Sequence, residues 1–240
     1  MAGITSDQAR DRIIVALDCD RERALELADM LQGSARWLKV GMTLYYTEGP
    51  KIVSELKERG FKVFLDLKLH DIPHQIRGAA ASIASTGADM LTIHACGGAE
   101  MAKAAIEGAA AGAPGELPAI LAVTVLTSMD DATLQTVGVD SDAQSQVKRL
   151  AALACSSGAS GVVASPLEAA MLRELLGPDA LIVTPGVRPA GSAAGDQARI
   201  ATPSAAILAG ASHVVIGRPI TQVCEPAAAF EAIVEEIIAG

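Results

Sequence analysis

Eight short runs rich in β-branched residues recur along the chain, and stretches of helical character separate them. The runs are almost continuously apolar, as expected for parallel strands that are buried on both faces. Eight strands, each followed by a helix within 240 residues, predict a (β/α)8 TIM barrel of the α/β class. The predicted strands span residues 12–18, 37–42, 62–68, 90–96, 119–126, 161–165, 181–187 and 213–218. The clearest predicted helices span residues 21–32, 51–59, 143–155 and 219–238.

The chain shows no sign of a domain boundary, since no Pro- or Ser-rich linker and no shift in composition interrupts the alternation. We therefore expect one domain over residues 1–240, with residues 1–11 as an N-terminal extension or helix. An open doubly wound sheet also alternates strands with helices. That fold usually has fewer units and carries a G-x-G-x-x-G turn after its first strand, which this sequence lacks.

The composition argues against several classes of partner. Aromatic residues make up 2% of the chain and the net charge is −9, so the basic stripe and stacking platforms of a nucleic-acid binder are missing. No apolar stretch approaches the ~20 residues of a membrane span, and the N-terminus has no apolar signal segment. We expect a cytoplasmic protein without membrane contact. The four cysteines form no C-x-x-C pair and are expected to be small buried hydrophobes in a reducing compartment; they are Cys19, Cys96, Cys155 and Cys224.

Charged side chains cluster where the predicted strands end, which in this barrel is the side that faces the catalytic mouth. Asp18 ends the first strand and Lys39 lies on the second, while Asp66 and Lys68 lie on the third and Asp71 follows it. Because Asp66 and Lys68 are two residues apart, both should point into the barrel. A purely structural ion-pair network is the simpler interpretation, but apolar residues often stabilise such a position equally well. Five charges of alternating sign on three consecutive strands are more than packing requires and therefore favour a functional role.

Polar residues at the ends of the last two strands predict a phosphate site. The loop after the seventh strand is long and Gly-rich, and it carries Arg188 and Gln197. The eighth strand ends at Gly217 and Arg218, and Pro219 is expected to begin a helix whose free N–H groups suit an anion. An ordinary helix start with a solvated arginine is the alternative. The loops after strands seven and eight bind phosphate in many barrels of this type, and the long loop is expected to act as a lid.

Metal binding has little support in the sequence. His70 and His74 are four residues apart, but the intervening Pro73 argues against a regular zinc-binding helix. His94 and Cys96 lie at the end of the fourth predicted strand, and no further His or Cys residues complete a zinc set. We therefore expect no bound metal.

Together these segments resemble the orotidine 5′-monophosphate decarboxylase family in its short bacterial form (type 1), the last enzyme of UMP biosynthesis. The resemblance covers nearly the whole chain. Its most specific element is the family motif D-x-K-x-x-D-I-P, which residues 66–73 match. Supporting matches in the same order lie at residues 39–41, 123–128, 184–188, 195–197 and 217–218.

The resemblance implies a catalytic role for each member of the charged cluster. Lys68 would be the catalytic lysine that stabilises and protonates a carbanion at C6 of the pyrimidine, with Asp66 beside it. Lys39 would bridge Asp66 and the ribose, and Asp18 would hold the ribose hydroxyls. Asp71 would reach across a homodimer interface into the partner's site. The family reaction uses no cofactor and no metal.

The resemblance also implies the remaining contacts to orotidine 5′-monophosphate. Thr127 or its neighbour Ser128 would meet the pyrimidine, and the alignment leaves both open. Many bacterial members carry Thr where this chain has Gln75, so a longer amide contact is expected in place of a hydroxyl. The implied phosphate ligands are Arg188, Gln197, Gly217 and Arg218.

Two other functions compete with this interpretation. Metal-dependent sugar-phosphate decarboxylases and synthases share the D-x-K-x-x-D strand, but they use an acidic residue near magnesium where this chain has Lys39. A non-catalytic nucleotide-sensing barrel would keep Arg218 and Gln197 but would have no need of Lys68. A spectrophotometric assay with orotidine monophosphate distinguishes all three.

Overall fold

The computed structural model describes residues 3–189 and 201–240. Within these residues, eight parallel strands close into a barrel in chain order, with β1 paired to both β2 and β8. This confirms the predicted (β/α)8 fold and excludes an open doubly wound sheet. The strands are β1 Ile13–Leu17, β2 Trp37–Gly41, β3 Lys62–Leu69, β4 Met90–His94, β5 Ala119–Val123, β6 Gly161–Val163, β7 Leu181–Thr184 and β8 His213–Ile216.

Helical segments follow every strand and cover the outside of the barrel, and one helix precedes β1 within the predicted N-terminal extension. Short 3-10 turns follow β4 and β6 at Ala95–Gly97 and Pro166–Glu168. The helices are α1 Ser6–Asp11, α2 Arg21–Leu31, α3 Met42–Glu48, α4 Lys51–Glu58, α5 Pro73–Ala84, α6 Gly98–Gly112, α7 Asp131–Thr136, α8 Ala143–Ser156, α9 Ala169–Leu176, α10 Pro203–Leu208, α11 Arg218–Thr221 and α12 Pro226–Ala239. No helix of the described residues is both long and apolar enough to cross a bilayer.

Several predicted boundaries were wrong. The single helix predicted over residues 219–238 is two helices, because the chain turns after Thr221 and Pro226 begins α12, a position that suits proline. Most predicted strands extend past the carboxyl end of the observed ladder. The apolar run continues there, and residues such as Val125 and Ala164 remain buried after the ladder has ended.

Two of the cysteine predictions were also wrong. All four cysteines are free, but Cys96 and Cys224 are exposed, and Cys19 and Cys155 are only half-buried against the outer core. Cys96 lies in the 3-10 turn after β4, and Cys224 lies between α11 and α12, so neither side chain is covered by the helical layer. Burial is the main cause that raises the pKa of the thiols of Cys19 and Cys155, as expected for thiols that serve as hydrophobes.

The core has two parts on opposite faces of the barrel wall. A large aliphatic layer lies between the strands and the helices. A smaller group fills the barrel interior, and we call it the inner cluster; it consists of Ile14, Ala16, Trp37, Phe64, Met90, Leu121, Val183 and Val215. Because side chains alternate along a strand, the residues two positions beyond the inner cluster also face the interior. These positions lie toward the carboxyl ends of the strands.

Candidate active site

Four alternating charges form a continuous chain at the carboxyl ends of β1, β2 and β3. Lys39 Nζ lies 3.1 Å from Asp18 Oδ1 and 3.6 Å from Asp66 Oδ2. Lys68 Nζ lies 2.7 Å from Asp66 Oδ1. We call Asp18, Lys39, Asp66 and Lys68 the charge array. The side chains of Lys39 and Asp66 are only 9% and 14% exposed, so water screens the centre of this array poorly.

Strand periodicity and one glycine account for this arrangement. Lys39 follows Trp37 by two residues and Asp66 follows Phe64 by two, so both charges continue the inward-facing rows of the inner cluster. Gly41 pairs with Asp66 across β2 and β3. A β-carbon at Gly41 would lie 3.2 Å from Lys39 Nζ and 3.4 Å from Asp18 Oδ1. Glycine therefore leaves room for the ion pair between Asp18 and Lys39.

The electrostatics of the array favour an ionised Asp66. Burial is the largest single influence on this group and acts to raise its pKa. The ammonium groups of Lys39 and Lys68, with hydrogen bonds from Lys68 and Thr92, outweigh burial and lower the pKa of Asp66 below its usual value. Asp66 is therefore a carboxylate at neutral pH, and it holds a cation on each side.

The backbone at Lys68 departs from a regular strand. Its φ angle is 51°, and it is the one non-glycine residue with positive φ in the described part of the chain. The register of β3 against β4 shifts between Leu65 and Leu69, so the irregular segment contains both Asp66 and Lys68. A left-handed lysine costs about 1–3 kcal/mol and persists only where its surroundings enforce it, and such residues concentrate at functional sites. The sequence carries no signal for this conformation.

The charge array forms part of the walls of two adjoining cavities. The larger, about 650 Å³, lies beside β1, β2 and α3, a size typical of small-molecule sites. The smaller, about 200 Å³, reaches toward β5, β6 and β7 and is mainly aliphatic. Both are lined by Lys39, Asp66 and Lys68. The smaller cavity is also lined by Phe64, Val123, Val125, Leu126, Thr127, Val163, Ala164, Pro185 and Val215.

The residues predicted to contact the base differ in their location and exposure. Thr127 lines the smaller cavity, whereas Ser128 is exposed and is absent from its walls. Gln75 is exposed in the first turn of α5.

Asp71 is exposed, its Oδ1 accepts a hydrogen bond of 2.6 Å from the N–H of Ile72, and it makes no ion pair with any described residue. Within one chain, therefore, four of the five predicted charges come together and Asp71 stays apart.

The predicted phosphate ligands lie at the ends of β7 and β8. Arg188 is buried, its Nη1 donates a 3.0 Å hydrogen bond to the carbonyl of Val187, and its N–H bonds to the carbonyl of Ala201. Gly217 precedes α11, and a β-carbon there would lie 3.9 Å from Asp18 Oδ2. Arg218 is exposed and begins α11, so the helix starts one residue before the predicted Pro219. Gln197 lies outside the described residues.

A further pair of imidazoles lies beside the charge array. The rings of His70 and His94 are 5.5 Å apart, and Cys96 Sγ lies 3.9 Å from His70 Nε2. Burial is the main cause that lowers the pKa of His94, and His70 and Lys68 add to it. No group of three or more His, Cys, Asp or Glu residues in the described ranges is arranged to hold a metal ion.

Comparisons with known proteins connect this chain to one family. Residues 11–233 match the model of the orotidine 5′-phosphate decarboxylase / HUMPS family. The orotidine 5′-phosphate decarboxylase of Alkalilimnicola ehrlichii is 49% identical over 232 residues, which cover 96% of this chain and 98% of the relative. That of Halorhodospira halophila is 51% identical over 230 residues, covering 95% and 97%.

A solved structure extends the likeness to three dimensions. The crystal structure of orotidine 5′-phosphate decarboxylase from Lactobacillus acidophilus superposes with a TM-score of 0.85 at 41% identity, covering 95% of this chain and 99% of that one. The similarity therefore spans the whole barrel and includes the strands that carry the charge array. This chain belongs to the orotidine 5′-phosphate decarboxylase / HUMPS family.

Proposed function

We propose that this protein removes CO2 from orotidine 5′-monophosphate to give UMP, the last step of de novo pyrimidine biosynthesis. The observation that carries the proposal is the charge array, in which Lys68 stands beside Asp66 on the wall shared by two cavities. Family membership and relatives named for this activity support it.

We propose that Lys68 stabilises the negative charge that forms at C6 when CO2 leaves and then protonates this carbon. When the bond from C6 to the carboxylate breaks, its electron pair stays on C6, where the ring delocalises it poorly. An ammonium aimed at C6 stabilises this charge and then transfers its proton, so that a C–H bond replaces the C–C bond. Lys68 regains a proton from water after product release. These reaction steps need no metal or cofactor.

Asp66 and Lys39 are proposed to prepare Lys68 for that task. Asp66 Oδ1 lies 2.7 Å from the Lys68 ammonium and fixes its position, and Lys39 on the other side of Asp66 helps to keep Asp66 ionised. These groups are held before substrate arrives, so little reorganisation is needed during the reaction.

The two cavities suggest how the substrate is held. We propose that the pyrimidine enters the smaller, aliphatic cavity beside Thr127, and that Asp18 and Lys39 bind the ribose in the larger one. Gln75 is proposed to add an amide contact. The phosphate is proposed to bind at the ends of β7 and β8, and its contacts far from C6 would supply binding energy for orientation; its ligands would be Arg188, Gln197, Gly217 and Arg218.

We further propose that residues 1–240 act as a single domain in a cytoplasmic homodimer, with Asp71 contributed to the partner's site. Asp71 is exposed and lacks an ion pair among the described residues, and the adjacent Ile72 is 64% exposed. An exposed charge next to an exposed apolar residue suits a surface that a second copy covers.

The charge array also argues against the metal-dependent members of the family. Lys39 Nζ occupies the space between Asp18 and Asp66, so an ammonium already neutralises the carboxylates that a magnesium ion would need. A nucleotide-sensing barrel without catalysis would gain nothing from a partly buried Lys68.

The test is a direct spectrophotometric assay with orotidine monophosphate in buffer containing EDTA. We expect the wild-type protein to consume the substrate, and the Lys68→Ala variant to lose at least ~10³-fold in turnover because it has no proton donor at C6. Binding of UMP by the variant, measured by calorimetry, should persist and serves as the control for folding.

Two results would contradict the proposal. Turnover near the wild-type rate in Lys68→Ala would remove Lys68 from the mechanism. Activity lost in EDTA and restored by Mg²⁺ would instead favour a metal-dependent sugar-phosphate enzyme.

A further inference from the structure

A buried threonine on β4 contacts both Asp66 and Lys68. Thr92 is 0% exposed. Its Oγ1 donates a hydrogen bond to Asp66 Oδ1 at 3.1 Å and accepts one from the backbone N–H of Lys68 at 2.8 Å. One hydroxyl therefore uses its proton on the carboxylate and a lone pair on the lysine backbone.

These contacts complete a closed loop that begins and ends at Lys68. The backbone N–H of Lys68 leads to the Thr92 hydroxyl, the hydroxyl leads to Asp66 Oδ1, and that same oxygen accepts the Lys68 ammonium at 2.7 Å. Thr92 and Asp66 therefore contact both the backbone N–H and the side-chain ammonium of Lys68, and they fix the position of one relative to the other. Networks of this kind stiffen their members more than isolated hydrogen bonds do.

Thr92 also stands where the ladder between β3 and β4 is irregular. Leu65 pairs with Leu91 and Leu69 pairs with Ile93, so Thr92 faces the segment in which Lys68 takes its left-handed conformation. In this segment the N–H of Lys68 bonds to a side-chain oxygen. A left-handed lysine persists only where its surroundings enforce it, and the Thr92 hydroxyl is a direct contact able to do so.

We propose that Thr92 is a positioning residue, which acts through Asp66 and the Lys68 backbone to aim the Lys68 ammonium at the reacting carbon. This inference rests on the function proposed above for Lys68. Thr92 lines neither cavity around the charge array, so its effect on the reaction is indirect.

The decisive variants are Thr92→Val, which keeps the shape and removes the hydroxyl, and Thr92→Ser, which keeps the hydroxyl. We expect Thr92→Val to lower kcat by about 10- to 100-fold with KM within about 3-fold, because misplacing a reacting group slows chemistry more than binding. Thr92→Ser should restore kcat to within about 3-fold of wild type, since serine offers the same donor and acceptor.

Thr184→Val is the matched control. Thr184 is also 0% exposed, and its hydroxyl bonds to the carbonyl of His213 on the neighbouring strand. It follows Val183 of the inner cluster, so alternation points it to the helix side of the barrel wall. Its kcat should stay within about 2-fold of wild type, although the same group is removed.

The pH profile separates positioning from packing. Without the Thr92 hydroxyl, Asp66 loses one of the hydrogen bonds that lower its pKa, so the acid limb of kcat/KM should move to higher pH. Thr184→Val should leave this limb unchanged.

The outcomes distinguish the two proposals. If Lys68→Ala is inactive but Thr92→Val matches Thr184→Val in kcat and pH profile, the role of Thr92 is refuted and that of Lys68 stands. Failure of Thr92→Ser to restore kcat likewise refutes the role of the hydroxyl. If Lys68→Ala is active, the proposed function fails first, whatever Thr92 does.

Discussion

Trp37 and Lys39 are two residues apart on β2 and point into the same barrel, yet one lies in an apolar layer and the other in the charge array. Phe64 and Asp66 repeat the contrast on β3. The amino-terminal end of the barrel, which we call the floor, is packed for stability. The carboxyl-terminal end, the mouth, concentrates charges that packing does not require. Distance along the strand, and not the direction of the side chain, separates the two roles.

The floor also contains a titratable group, but its environment suppresses the charge. His213 begins β8 and meets the Trp37 ring edge-on, with centroids 5.6 Å apart. Its Nδ1 is buried and has no hydrogen-bond partner within the described part of the chain. Burial is the main cause that lowers the pKa of His213 to about 4. The floor thus keeps a base neutral, whereas the mouth keeps Asp66 ionised.

The largest expected effect comes from replacing the centre of the mouth with apolar residues. In the triple variant Lys39→Met, Asp66→Leu, Lys68→Met we expect decarboxylation to fall by more than ~10⁴-fold, because the proposed proton donor and its partners are gone. The free energy of unfolding should stay equal or rise by about 1–4 kcal/mol, as for other buried ion networks replaced by hydrophobes. Urea unfolding and the substrate assay measure both.

A single variant provides the control for that experiment. Asp66→Leu alone leaves Lys39 and Lys68 without their shared carboxylate, so it should be less stable than the triple variant. A triple variant less stable than Asp66→Leu would show that the mouth contributes to stability after all and would remove the contrast with the floor.

The opposite result is expected in the inner cluster. Leu121→Ala removes a fully buried side chain of the barrel interior. It should lower the free energy of unfolding by about 3–4 kcal/mol through lost burial and a residual cavity, or roughly 10 °C in Tm. The folded variant should keep kcat within about 3-fold of wild type. If kcat falls strongly under conditions in which all of the variant is folded, the packing of the inner cluster and the chemistry at the charge array are coupled.

The smallest effect concerns His213 and depends on pH. Its folded-state pKa of about 4 lies below the ~6.5 of an unfolded histidine. Between these values the unfolded chain binds a proton that the folded protein does not, so stability falls as pH drops from 6.5 to 4. The contribution is roughly 2–3 kcal/mol at the acid end. His213→Phe keeps a ring against Trp37 and should remove this part of the pH dependence.

Urea unfolding of both proteins from pH 4 to 7 tests this prediction. Carboxylates such as Asp66 titrate in both and cancel in the difference, so the difference isolates His213. Identical pH dependence in the two proteins would show that the imidazole is solvated in the folded state.

Part of this site could be predicted from sequence because side chains alternate along a strand. The two-residue spacing of Asp66 and Lys68 predicted that both point to the same side, and their ion pair agrees with this although the register shifts between Leu65 and Leu69. Leu67 and Leu69 alternate with Asp66 and Lys68 along the chain, and they pack in and against the outer aliphatic layer. Such inferences need only the alternation of side chains and the polarity of the barrel.

Other features had no signal of this kind. Thr92 is an ordinary strand former, and its two contacts depend on an irregular register that neither strand reveals alone. The left-handed Lys68 is a residue type that gives no hint of this conformation. Asp71 requires a second chain for its proposed role. The break at Pro226 was detectable, because proline favours the start of a helix over its interior.

The φ angle of Lys68 has a consequence for the evolution of the fold. Glycine is the residue that this backbone conformation suits best, so substitution of Lys68 by glycine would relieve conformational strain as it removes the ammonium. Position 68 is therefore one where backbone preference and the proposed chemistry favour different residues. In a library screened only for heat resistance, the relief of backbone strain by glycine would compete with the loss of the ammonium that partners the partly buried Asp66, whereas the proposed function requires the lysine.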